Sequence, residues 1–230
     1  MPAKRVKGGC ARNGRVGEHV RGLTRLKGAF FVKKGVSIAV SGTPGSGKTT
    51  YARFIAERYG LGYVSNGMLF REMARERGVS LLEMHRLAEK DRSIDLEIDE
   101  RARRAAEKGC VVVEGHLAAW VLRDAVDIVI LVDAPLKVRA ERVARRDGKD
   151  IEEALREIIE REKSNAERAK RYYGVDTSDY RIADLYIRSY PLGPEEVKRV
   201  IGAFLDAYRA SRPELFDPCI SGEGLKNEAI

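Results

Sequence analysis

Residues 36–50 read VSIAVSGTPGSGKTT. An apolar run enters a glycine-rich turn, and the turn runs straight into a lysine and two threonines. The run predicts a strand over 36–41, and the residues after the turn predict a helix from about Lys48 to Tyr59, stopped by Gly60. Gly42 to Thr49 fit the pattern G-x-x-x-x-G-K-[ST] in the context it requires, after a strand and opening a helix. The glycines allow backbone angles that side chains forbid and let the chain approach phosphate oxygens. Successive N–H groups then point inward at the helix N-terminus and form an anion nest. Lys48 would reach the outer phosphates, and the Thr49 hydroxyl can ligate Mg²⁺. An ordinary glycine turn is the bland alternative, but the complete motif favours a nucleoside triphosphate.

Outward from this loop, strands and helices alternate. A second short strand is expected near 63–65, then helices over about 66–77, 80–90 and 93–108. Ser80, with Glu83 three residues on, has the form of a capping box. "CVVVE" (110–114) and "DIVILVD" (127–133) are buried-strand runs. A charged helical region covers about 136–172 and breaks near "DGKD". "DLYIRS" (184–189) is a last strand, followed by a closing amphipathic helix. Such alternation implies an α/β fold with a parallel sheet wrapped on both faces.

Composition narrows the classes. With 230 residues, 43% hydrophobic and 34% charged, the chain suits one core with an ionic surface. No run approaches the roughly 18 to 20 apolar residues that span a bilayer, and no signal peptide is visible. The three cysteines, Cys10, Cys110 and Cys219, are odd in number and far apart. This argues for a reducing cytoplasm and against disulfides or zinc. The net charge of +8 hints at nucleic acid, but residues 1–35 alone carry +9, leaving −1 for the rest. That basic leader is expected to be disordered. It could bind RNA or acidic partners, be a solvated tail, or reflect a start site assigned too early; the last two are favoured because Val36 begins the first strand directly. The tail, 212–230, reads as loose. A monomer is the default.

The phosphate acceptor is a separate question. GTP switches need an NKxD element, which is missing, and "VVVEG" offers a single acid where ATPase motors place two. A small-molecule kinase remains. A kinase for a monophosphate faces two anions, so arginines should converge on the loop. Candidates are Arg71, then Arg142, Arg145 and Arg146 on one helical face, then Arg161 and Arg168 two turns apart with Asn165 between. Glu141, Glu157 and other acids share that region, so charge alone makes a solvated helix at least as good a reading.

Taken together, "SIAVSGTPGSGKTT", "YVSNGMLFREMARERGVSLLEMHRLAE", "SIDLEIDERAR", "VVVEGHLAAW" and "REKSNAERAKRYYGVD" resemble the archaeal-type cytidylate kinases. The similarity runs in order from about 36 to 210. The resemblance implies a P-loop nucleoside monophosphate kinase fold: a five-stranded parallel sheet, an acceptor-binding segment over about 65–108, and a lid over about 142–172. It implies ATP, Mg²⁺ and CMP or dCMP, with UMP or AMP, or a nucleotide-binding protein with a degraded acceptor site, as alternatives. By position it assigns Gly42, Thr43, Pro44, Gly45, Ser46, Gly47, Lys48, Thr49 and Thr50 to ATP, joined by Arg142, Arg145 and Arg146. Ser65, Gly67, Arg71 and His116 fall at the acceptor, and Glu114 at the acid that orients a magnesium water. Arg161 and Arg168 would close on the phosphates with Lys48 as the catalytic cations.

Two positions depart from the family pattern. His116 stands where relatives place arginine after Glu-Gly, and Asn165 stands where an acid is usual. A protonated His116 could replace the lost cation, although its ordinary pKa of about 6.5 makes that conditional. A compensated exchange within one network is a further reading. Asp95 and Asp99 could read the base, with a solvated helix face as the favoured role.

Overall fold

A computed structural model describes residues 23–26, 29–32 and 35–220. Two short strands, β1 (Leu23–Leu26) and β2 (Ala29–Val32), pair antiparallel with Leu23 opposite Val32 and Leu26 opposite Ala29. They form a unit of their own. The leader was expected to be mostly disordered, and these two four-residue strands are the part of it described here. The physical basis of the pairing is two short runs, LTRL and AFFV, separated by only two residues. Residues 1–22 lie outside the described residues.

The second unit begins with β3 (Ser37–Gly42), and the chain then enters α1 (Lys48–Tyr59) through the glycine turn. After β4 (Gly62–Ser65) come α2 (Asn66–Glu76), α3 (Leu81–Lys90) and α4 (Arg92–Lys108). β5 (Val111–Glu114) is followed by a one-turn helix, α5 (Ala118–Val121), which periodicity did not predict, and then β6 (Ile128–Asp133). The charged region is a helical hairpin, α6 (Leu136–Asp147) and α7 (Ile151–Tyr173). Its break is set by Gly148 in the left-handed region, at φ 64°, and by Asp150, whose side chain caps α7. β7 (Leu185–Arg188), α8 (Pro194–Ser211) and α9 (Pro213–Ile220) complete the described chain.

The five strands form one all-parallel sheet in the order β4-β5-β3-β6-β7. The expected architecture is therefore present. Ile38 and Val40 bury into a core with α1, α8 and α9, while Ala39 faces α4 and α5 on the other side. Both faces are covered, which is why the strands read as unbroken apolar runs. A smaller core of Leu69, Phe70, Met73, Met84, Ile94 and Ile98 joins α2, α3 and α4. The register aligns Val40 and Ser65 with Glu114. The glycine turn, Glu114 and the start of α2 thus share the carboxyl-terminal edge of the sheet, where open α/β sheets bind ligands.

Two expectations fail at the opposite edge. The tail is not loose through 220: α9 packs with Phe216 and Cys219 buried, and the Phe216 ring meets Tyr59 edge-on at 5.7 Å. Residues 221–230 lie outside the described residues. Cys110 and Cys219, 109 residues apart, form a disulfide that ties α9 to the start of β5. A Cβ on Gly35 would collide with both sulfurs. Sequence spacing hides this pair because only the parallel crossovers bring the two ends together. No described helix is long and apolar enough to cross a membrane.

Candidate active site

The glycine turn is built to exclude side chains. A Cβ on Gly42 would overlap the Val132 carbonyl, and one on Gly45, at φ 80°, would lie 2.8 Å from the Arg139 carbonyl oxygen. Only glycine fits at these two positions, which lets the backbone take the tight loop path that an anion nest needs. Lys48 Nζ curls back to donate to the Thr43 carbonyl at 2.9 Å. Burial lowers its pKa to about 8, against the opposing pull of Glu114. Thr43 Oγ1 donates to Asp133 Oδ1 at 2.7 Å. Ser46 Oγ is buried without a partner inside the loop, and the Thr49 and Thr50 side chains are exposed at the helix start.

Glu114 sits at the end of β5, only 8% exposed. Its Oε2 accepts from Ser65 Oγ at 2.8 Å and from the Tyr63 hydroxyl at 3.2 Å. Both bonds fall on one oxygen, which leaves Oε1 without a hydrogen-bond partner among the described residues. Ser65, expected at the acceptor, therefore orients this acid. The oxygen donors Thr49 and Glu114 suit a hard cation such as Mg²⁺ held mainly by substrate. Among the described residues no cluster of three or more His, Cys, Asp or Glu side chains could hold a metal by itself.

Arg71 is exposed in α2 and makes no ion pair or hydrogen bond among the described residues. Its Nη1 would lie 3.7 Å from a Cβ on Gly67, beside Ser65, so three of the four acceptor candidates occur together. His116 departs from its expected role. Its Nδ1 is 2.9 Å from the Gly42 carbonyl, an oxygen that can only accept. Burial, then the charge of Lys48, push its pKa down to about 3. His116 therefore braces the phosphate loop, and burial there disfavours its charged form.

The arginines separate into distinct duties. Arg142 donates to the Ser46 carbonyl at 3.3 Å and to Ser189 Oγ and O at 2.8 and 2.7 Å, tying the loop to the end of β7. Arg145 is exposed with no ion pair among the described residues, and Arg146 pairs with Asp147 at 2.7 Å. Their shared helical face does not make them one cluster. Arg161 is half-exposed beside Glu157 at 3.4 Å, yet its charge is felt by both Lys48 and His116. Arg168 Nη1 donates to both Asp95 oxygens, 2.9 Å to each, and Nη2 donates to Asn165 Oδ1 at 2.7 Å. Asp95 thus supplies the acid that position 165 lacks. His116 and Asn165 share no hydrogen-bond partner, although the charge of Arg168, which Asn165 bonds, acts on His116.

Sequence reasoning missed Arg139, which is 6% exposed. It donates to the Ala134 and Pro44 carbonyls at 2.8 and 3.2 Å and pairs with Glu162 at 2.7 Å, joining the phosphate loop to α7. It also missed Asp133; the one available signal was an acid at the end of an apolar strand. A cavity of about 340 Å³ opens here, walled by Thr43, His116, Asp133, Arg139, Glu162 and Tyr180 among others. Chemically, a nest for phosphates lies with a lysine on which the charges of Glu114, Arg161, Arg139 and Arg146 all act.

Solved structures share this architecture. An uncharacterized protein from Eubacterium ventriosum covers 74% of this chain and 98% of its own, with a TM-score of 0.59 at 24% identity. A shikimate kinase from Bacteroides thetaiotaomicron covers 74% and 98%, with a TM-score of 0.53 at 16% identity. These likenesses support the P-loop kinase fold alone. Sequence relatives go further. A cytidylate kinase of Aeropyrum pernix is 52% identical over 162 residues, 70% of this chain and 94% of its own. Cytidylate kinases of Staphylothermus marinus and Methanopyrus kandleri are 46% and 48% identical, over 75% and 74% of this chain and 98% and 93% of their own. Residues 37–190 match the model of the cytidylate kinase-like family, and with the phosphate loop, the sheet order and these relatives in agreement, the chain belongs to that family.

Proposed function

We propose that this chain transfers the γ-phosphoryl group of ATP to CMP, and to dCMP, giving ADP and the diphosphate. The carrying observation is that the nest with Lys48 and the Ser65–Arg71 pair both lie at the carboxyl-terminal edge of the sheet, where Val40 and Ser65 align with Glu114. The charges of Arg161 and Arg168 on α7 both act on His116 beside the phosphate loop, which supports reading the α6–α7 hairpin as the lid and α2–α4 as the acceptor-binding segment.

The acceptor is already an anion, so in-line attack needs no strong base. A His116 held neutral with a pKa of about 3 agrees with that, because it is a poor proton acceptor near neutrality. Lys48, with Arg161, stabilises charge on the group in transit. The Thr49 hydroxyl would hold Mg²⁺ directly and Glu114 would hold it through water, and the ion would offset phosphate charge. Closure of the hairpin excludes water and limits hydrolysis.

The test is a panel of CMP, dCMP, UMP and AMP with MgATP, read as product diphosphate. CMP should give the highest kcat/KM. A preference for UMP or AMP would reassign the acceptor, and ATP binding without transfer to any of the four would refute the kinase reading.

A further inference from the structure

The long helix α7 is held at its start, its middle and its end. At the start, Ala154 and Ile158 bury against Ala140, Val143 and Ala144 of α6, and Ile158 is the last α7 residue in that apolar core. At the end, Arg168 bonds Asp95 and the Tyr173 hydroxyl bonds Asp99. These two acids of α4 therefore face α7, not the solvated face expected of them. In the middle, one turn past Ile158, Glu162 Oε1 accepts from Arg139 Nη1 at 2.7 Å.

Arg139 occupies a place unfavourable to a cation. It is buried, and its charge acts on Lys48. Its Nε donates to the Ala134 carbonyl just ahead of α6, so the guanidinium lies by the positive end of that helix. Burial, the helix dipole and a like charge all oppose it, and the carboxylate of Glu162 with the Ala134 and Pro44 carbonyls offsets them. The planar guanidinium fork offers donors to all of these in one rigid geometry, which a lysine ammonium does not. The backbone fits as closely: a Cβ on Gly45 would lie 2.8 Å from the Arg139 carbonyl oxygen and 3.0 Å from its Cβ. A displacement of α7 at Glu162 is thus felt directly by the phosphate loop.

Arg161 is the neighbour of Glu162. Its ion pair with Glu157 is long, at 3.4 Å, and Glu157 is already held by Lys149 at 2.7 Å. The charge of Arg161 nevertheless acts on both Lys48 and His116. Its place over the loop is set by the tight contact next to it more than by a strong partner of its own.

Resting on the kinase reading above, we propose that Arg139 and Glu162 are positioning residues for phosphoryl transfer: their ion pair pins the middle of α7 to the phosphate loop and so places Arg161 for the group in transit. Both act through Arg161. Transfer depends on such placement, and a shift of about 1 Å can cost about 100-fold in rate.

The experiment measures kcat and KM for CMP and for ATP, each with the other substrate saturating, on the full chain, on Glu162→Gln, on Arg161→Gln and on the double variant. The glutamine still accepts a hydrogen bond but lacks the charge that holds the guanidinium. In Glu162→Gln, kcat should fall about 10-fold while both KM values change less than about 3-fold. Arg161→Gln should lower kcat further, and adding Glu162→Gln to it should change kcat less than about 2-fold, because residues that act as a unit are not additive. A merely structural role would multiply the two losses, and that result overturns the inference. An unchanged kcat in Glu162→Gln, a loss confined to KM for ATP, or an Arg161→Gln variant as active as wild type overturns it as well. If Glu162→Gln does not fold, Glu162→Asp takes its place with the same outcomes, since it keeps the charge but shortens the reach. Each of these results leaves the kinase reading standing. A wild type that transfers phosphate to none of CMP, dCMP, UMP and AMP ends that reading, and this inference with it.

Discussion

Reducing the Cys110–Cys219 disulfide should destabilise the protein without disarming it. The bond closes a loop of about 110 residues, from a separation of 109. In the chain-entropy model a loop of that size restricts the unfolded state by about 5 kcal/mol at 25 °C. A chain of this length shifts its melting temperature by about 2–4 °C per kcal/mol, so reduction should lower it by about 10–20 °C. The active cleft lies at the other edge of the sheet, so kcat/KM at a temperature where both forms are folded should change little. The assay is a thermal melt with and without reductant, paired with thiol counting in denaturant. The oxidised chain should show one thiol and the reduced chain three, since the sequence has three cysteines. Cys219→Ser should melt like the reduced wild type and no longer respond to reductant. A melt that shifts by less than about 2 °C while the count rises from one to three would refute the reasoning.

Three further outcomes are expected. Lys48→Ala should lower kcat by at least about 100-fold in a coupled assay while melting no lower, because burial already disfavours its charge; near-normal turnover would remove Lys48 from the reaction. His116, with its folded pKa depressed to about 3, should contribute stability that is full above about pH 6.5 and lost as pH falls toward 3, at up to about 1.4 kcal/mol per pH unit. Urea melts of His116→Asn, which can still donate to the Gly42 carbonyl, should show a shallower acid slope than wild type; equal slopes would contradict the neutral assignment. Arg168→Gln should cost about 3–5 kcal/mol in the same melts by leaving Asp95 buried and unpaired. The double variant with Asp95→Asn should recover most of that, and a single variant costing under about 1 kcal/mol would mean the pair is not insulated from water.

The cleft itself was partly legible beforehand. Gly42 to Thr49, Glu114 and Arg71 could be singled out because each sits at a fixed offset from a strand end, and strand ends are visible as the limits of apolar runs. Arg139 was passed over because it looks like any charge on a charged helix; only the close approach of α6 to Pro44 and of Glu162 to its guanidinium gives it a role. Asp95 and Asp99 were misread for the same reason. An acid at helical spacing reads as solvated until a second helix covers it.

The division follows the range of the forces involved. The amino-acid sequence by itself determined the strand and helix order, the phosphate loop and the family, because backbone conformation and hydrophobic periodicity depend on residues a few positions apart. Tertiary structure alone decided the disulfide and the fixed α9, the neutrality of His116, and the pairing of Arg168 with Asp95. Each of these depends on desolvation or on a partner more than 70 residues away, such as the 73 between Asp95 and Arg168 or the 74 between Gly42 and His116. No local pattern carries that information, because a charge's energy is set by what the fold places around it.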